Sequence, residues 1–258
     1  MAKGRKNSLW FAFNDITSTD MGLRVTWLPD VQIAEARGKA VEIPGRDGDL
    51  WLADNSFKPV TMRIEFEIGS TANTNAITAW LTGSGSLILS NFSDYYWKAR
   101  IVKPFNLNNG IFLAGHFRTT VEFVCQPFRY LLDEDEVTIT VPADPDEHRF
   151  DDHFFDGLGT WTAKPIITVT GSGTFNVIVN GLTILFDDVD EYITLDCDAM
   201  MAYKGSTNES SKVTILSDED EWPLLHPGTA ANRVNWSLVT GETGDITQIV
   251  FQPNWRWR

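Results

Sequence analysis

The stretch Val60–Ile68, "VTMRIEFEI", places Val60, Met62, Ile64, Phe66 and Ile68 on one side of an extended chain and Thr61, Arg63, Glu65 and Glu67 on the other. Strict period-two alternation is the mark of a strand with one buried face, and it excludes a helix over the same residues. The run "HFRTTVEFVCQPF" repeats the pattern with Phe117, Thr119, Val121 and Phe123 on one face. There, Pro127 is expected to end the ladder by removing a donor. Between the two runs, "TNTNAITAWLTGSG" carries Asn and Thr caps, Ile77, Trp80 and Leu81 at helical spacing, and Gly83 as a stop. One short helix is predicted from Asn75 to Leu81.

Beyond Leu132 the composition changes. An acidic, Pro-containing segment from Asp133 to Pro145 leads into short strand signals separated by Gly, Asn and Asp turns. They are "VTITV", "PIITVTG", "TFNVIVNG", "LTILF", "EYITLDC", "AMMAY", "SKVTIL", "NRVNWSLV" and "TQIVFQP". Many short strands at close spacing with no long helix predict an antiparallel sandwich or jelly roll. The expected fold class is therefore mainly β, in two domains, residues 1–132 and 133–258. No repeat of solenoid or propeller length interrupts them.

No run of about 18 apolar residues is present, and the basic start "MAKGRKNSLWFAF" is too poor in apolar residues to read as a secretory signal or membrane span. We expect a soluble protein made in the cytoplasm, with no membrane partner. Cys125 and Cys197 sit in strand-like surroundings far apart in sequence, so buried thiols are expected and a disulfide framework is not. The net charge of −14 argues against duplex binding, which rests on clustered Lys and Arg. Acidic residues gather after Leu132, as a solvated surface would have them.

Motifs for chemistry are missing. Neither G-x-G-x-x-G, nor a P-loop, nor the G-x-S-x-G elbow occurs. "GSGSL" at Gly83 and "GSGTF" at Gly171 lack the third glycine and precede strands, so they read as turns. "EHRFDDHFFD" brings His148, Asp151, Asp152 and His153 close in sequence, but an acidic loop with incidental histidines explains it as well as a metal site does. "DDVDEY" and "DEDEVTI" lack the Gly and Glu positions of a calcium loop. No catalytic residue, cofactor or metal is assigned. The ten tryptophans are compatible with sugar stacking, although tryptophan between two sheets is the commoner use.

One stretch stands apart: "VEIPGRDGDLW", Val41–Trp51. Pro44 and Gly45 suit the central positions of a type II turn, and Asp47-Gly48 suits a second reversal before Leu50. At its tip, Arg46 and Asp47 are free to pair with each other, to bond backbone carbonyls or to reach a neighbouring subunit.

Taken in order, "FAFNDITSTDMGL", "EIPGRDGDL", "VTMRIEFEI", "AWLTGSGSLILSNFSDYYWKARI" and "FRTTVEFVCQPFRYL" make residues 8–132 resemble the distal tail protein family (Dit) of long, flexible-tailed bacteriophages. The remainder resembles that family's galectin-like C-terminal domain through "AKPIITVTGSGTFNVIVNG", "ITLDC", "AMMAY", "WPLLHPGTAANRVNW" and "NWRWR". The resemblance implies a virion protein of the tail tip. Six copies would form a ring through the N-terminal β-rich belt domain and join the tail tube protein to the baseplate hub, tail-associated lysin or fibre protein. The galectin-like antiparallel sandwich would project outward to hold receptor-binding or adhesion proteins. It also marks Pro44, Gly45, Arg46, Asp47 and Gly48 as a hallmark turn, a candidate interface. A scaffold of this kind needs no enzyme activity, and an acidic balance suits a bore through which DNA passes. The alternatives are a carbohydrate-binding module and a cell-wall glycoside hydrolase accessory domain, the latter requiring paired carboxylates.

Overall fold

A computed structural model describes residues 8–69, 73–103, 116–141, 152–217, 221–239 and 244–258. The chain divides into two compact units, Met1–Leu132 together with Arg258, and Asp133–Trp257. The described residues are mainly strand, paired antiparallel, with one α-helix.

The first unit contains β1 (Phe11–Phe13), β2 (Ile16–Thr17), β3 (Leu23–Trp27), β4 (Ala36–Val41), β5 (Leu50–Phe57), β6 (Val60–Gly69), β7 (Ser84–Leu89), β8 (Tyr95–Ile101) and β9 (His116–Leu131). A sheet joins them in the order β2-β1-β7-β8-β9-β6-β3, while β4 and β5 form a separate ribbon. Alternation sets the register: Met62 pairs with Phe123 and Ile64 with Val121, so buried side chains meet on one face. On the opposite face Glu67 takes Arg24 at 3.2 Å and Arg118 at 3.0 Å, and Glu122 takes Arg63 at 2.7 Å and Lys103 at 2.6 Å. Two cations hold the Glu122 carboxyl below its usual range, the Lys103 hydrogen bond foremost.

Helix α1 spans Thr74–Trp80, and the Asn73 side chain caps it by accepting from the Ala76 N–H at 3.1 Å. Its Trp80 stacks on Phe11 at 5.3 Å and donates its indole N–H to the Phe13 carbonyl at 2.7 Å. Both rings thus enter the core, with the one polar atom between them, the indole nitrogen, satisfied.

Pro127 does not end β9, which continues to Leu131. Pairing with β6 stops at Cys125, and on the β8 side the register shifts between Trp97 and Ala99, opposite Arg129 and Cys125. Pro127 lies in that irregularity, where a residue without an N–H is tolerated.

The second unit contains β10 (Val137–Thr140), β11 (His153–Gly157), β12 (Ile166–Val179), β13 (Leu182–Val189), β14 (Tyr192–Asp196), β15 (Met201–Lys204), β16 (Thr207–Asn208), β17 (Val213–Leu216), β18 (Gly228–Leu238) and β19 (Gly244–Gln252). "PIITVTG" and "TFNVIVNG" are one strand, β12, and not two joined by a turn. Ile166–Thr170 lies between β14 and β19, and Phe175–Val179 lies between β13 and β18. Gly171 sits at a register shift, where a methyl group would collide with the Asp245 carbonyl, and Gly173 has φ +82. The glycines therefore form a bulge that lets one strand serve two hydrogen-bonded neighbourhoods. Ile167, Val169, Phe175 and Val177 from both halves are fully buried in one core.

Asn232 is buried in this unit, and its amide is bonded through both its oxygen and its nitrogen. Its Oδ1 accepts from the His226 N–H at 2.7 Å and Asn180 Nδ2 at 3.2 Å, and its Nδ2 donates to the His226 carbonyl at 2.9 Å. Cys125 and Cys197 are free and fully buried; burial pushes the Cys125 thiol up to about 12 and that of Cys197 well above its usual value. Both remain protonated and unreactive at neutral pH.

Candidate assembly site

The ribbon of β4 and β5 is the part of the first unit that its core does not account for. Val41 pairs with Leu50 and Ala40 with Trp51, but neither strand joins the main sheet. Two-stranded ribbons are marginal in water unless something packs on them. At the root it is held: Ala36 pairs with Phe57, Phe57 meets Phe128 edge-on at 5.6 Å, and Lys58 bonds Glu35 at 2.8 Å. Beyond the root, Leu50 to Asn55 are exposed on both faces, with Trp51 and Leu52 each 53% accessible and Ile43 38%. Trp51 and Leu52, consecutive along β5, thus leave apolar surface exposed on opposite faces of the ribbon.

Local chemistry shapes the ribbon. The register shifts between Ala36 and Gly38, where Asn55 takes φ +56 and Asp54 Oδ1 accepts from the Ser56 N–H at 2.9 Å and hydroxyl at 2.8 Å. Those bonds, the hydroxyl's foremost, hold the Asp54 carboxyl below its usual range. A carboxyl lowered in the fold favours the bulge above its unfolded value and releases it as pH falls through the folded value. Across the strands, a methyl group at Gly38 would lie 2.6 Å from the Trp51 ring and 2.7 Å from the Leu52 carbonyl oxygen. Gly38→Ala is therefore expected to displace Trp51 while leaving both cores intact. Trp51 fluorescence and amide exchange confined to β4 and β5 would register it, and unchanged exchange there would refute it.

At the tip the Arg46 N–H donates to the Ile43 carbonyl at 3.1 Å, making Pro44 and Gly45 the central residues of a four-residue turn. Gly45 has φ +81 and Gly48 has φ +74, which side-chain-bearing residues rarely adopt. A methyl at either glycine would meet nothing, so conformation and not space selects glycine. Arg46 and Asp47 are exposed, and neither has a side-chain partner among the described residues. Pro44, Gly45, Arg46, Asp47 and Gly48 are thus brought together at one ribbon end. What the turn motif alone did not disclose is the adjacent apolar surface. The run Leu50-Trp51-Leu52 breaks alternation, but so do the buried runs Phe11-Ala12-Phe13 and Leu87-Ile88-Leu89, so the pattern does not single it out.

The other sequence candidates disperse. His153 stacks on Trp236 at 4.9 Å, and Asp152 is held by Arg233 at 2.6 Å and Asn235 at 3.0 Å, while His148 and Asp151 lie outside the described residues. Asp190 and Glu191 of the "DDVDEY" run engage Lys204 at 3.0 and 3.2 Å. Among the described residues, no group of three or more His, Cys, Asp or Glu side chains is placed to hold a metal, and no helix is long and apolar enough to cross a membrane.

No family model and no curated protein matches the sequence. A solved structure does: the Dit protein (gp 19.1) of SPP1, described as a paradigm of the hub adsorption apparatus in phages infecting Gram-positive bacteria. The match has a TM-score of 0.66 at 14% identity and covers 94% of this chain and 97% of that one. The chain has a Dit fold. The likeness runs through both units, so their succession in one chain is part of it.

Proposed function

We propose that this protein is a distal tail protein: a non-enzymatic virion component made in the bacterial host. In this reading, six copies close into a ring through the first unit and join the tail tube protein to the hub, lysin or fibre protein. The second unit, a galectin-like sandwich, faces outward and supports receptor-binding or adhesion proteins. The observation that carries this is the β4–β5 ribbon, outside the main sheet and with Trp51 and Leu52 exposed, in a chain of which 94% follows a tail-hub protein's fold. A closed ring covers such a ribbon and leaves no free edge.

Charge refines the reading. Residues 1–132 hold 14 Lys and Arg against 12 Asp and Glu, whereas residues 133–257 hold 6 against 23. The acidic excess thus belongs to the outward unit, and a bore built from the first unit is close to neutral overall. Phosphate would pass such a lining without being trapped, through balanced charge rather than net repulsion.

Light scattering coupled to size exclusion over a concentration series, followed by negative-stain imaging, tests the ring, alone and with the tube or hub protein. Monomers in every mixture would sink it. Arg46→Ala and Asp47→Ala are each expected to weaken ring formation about tenfold with no change in the melting of either unit. Intact rings in both variants would reduce Pro44–Gly48 to a local turn.

A further inference from the structure

The second unit has an open groove between β15 and β17. Its floor is apolar: Leu195 and Ala202 are buried, and Trp222 packs on the unit's core while keeping part of its ring accessible. Met200 and Glu221, both exposed, also line it. Met200 is 56% exposed and held at φ +57, a conformation that non-glycine residues adopt only where their surroundings enforce it. Along the groove, β17 hydrogen-bonds to β13 alone among the described strands, so its other backbone edge is open. Leu216 at the end of that strand is 55% exposed.

An open strand edge beside an apolar trough fits an extended polypeptide, which adds a strand through its backbone and seats one side chain in the trough. Charge says which kind. The unit is strongly acidic, and its described cations are committed: Lys164 to Asp198, Lys204 to Asp190 and Glu191, Lys212 to Glu209, Arg233 to Asp152, and Arg256 to the Thr162 carbonyl. Glu221 lines the groove itself. From the groove, the free edge and this one-signed field, we infer that the β15–β17 groove docks an extended, Lys- or Arg-rich segment of a partner protein, anchored by one bulky apolar side chain. The inference rests on the second unit alone and stands whether or not the first unit forms rings.

The test uses the full-length protein and two short synthetic strand peptides, one alternating Lys with Leu and the other alternating Glu with Leu, titrated by calorimetry at low and moderate salt. The Lys peptide is expected to bind, weakening as salt rises, and the Glu peptide to give no heat. Met200→Asn keeps a residue that tolerates positive φ but removes the apolar side chain, and is expected to weaken binding about tenfold. Glu221→Lys is expected to weaken it and flatten its salt dependence. Absence of binding, equal binding of the Glu peptide, or unchanged affinity in Met200→Asn would each overturn the inference. So would concentration-dependent self-association abolished by Met200→Asn, which assigns the groove to a second copy of this chain.

Discussion

Replacing both Trp51 and Leu52 by Ser is expected to abolish self-assembly and leave a folded monomer. Each side chain is 53% exposed and lies outside the apolar core, so its loss should move the stability of the isolated chain by no more than about 0.5 kcal/mol. In an interface the same residues act as anchors. Truncating a central tryptophan commonly costs about 2 kcal/mol or more, roughly thirtyfold in association. A ring repeats that loss at every junction, because each copy presents the same ribbon to its neighbour. Size exclusion with light scattering reads the assembly, and calorimetry reads the fold. Rings that persist in the double variant would mean that the ribbon is covered by something other than a neighbouring copy.

The second large effect concerns stability. Phe123→Ala is expected to destabilise the first unit by about 3–5 kcal/mol. Phe123 is fully buried, with Phe13 at 5.3 Å and Phe11 at 6.0 Å, and Met62 is its register partner across β6 and β9. Sheet partners on both sides hold that part of the core, so the cavity has little room to collapse. A domain of this size holds about 5–15 kcal/mol in total, so the melting temperature should drop by roughly 10 °C or more. The second unit keeps its own core, and its transition should not move. A single transition shifted as a whole would show that the two units melt together.

Where one face of an element is buried, the sequence disclosed it. Val60–Ile68 lies in β6, with Val60, Met62, Ile64, Phe66 and Ile68 all buried, and the helix predicted at Asn75–Leu81 lies at Thr74–Trp80. Two local readings gave way to tertiary context. Pro127 is tolerated because pairing with β6 has stopped at Cys125 and the β8 register slips there, and "GSG" at Gly171 bends a strand instead of ending it. Neither is visible to a rule that sees only neighbours in sequence. The candidate site was half legible. Pro44, Gly45 and Gly48 announce their backbone conformations, since those angles select for glycine. Trp51 and Leu52 read as ordinary apolar strand residues, and their exposure follows from the ribbon's separation from the sheet, which no periodicity encodes.

One further consequence follows from the pairing of β10 with β19. Val137 faces Phe251 at the end of that pair where the chain both enters and leaves the second unit. Tension on the two ends would peel this seam open one rung after another, whereas β12, gripped on both flanks along its length, has no free end to pull. A pull on the second unit would thus strain the seam first, leaving the strand that organises the sandwich untouched until the seam has given way.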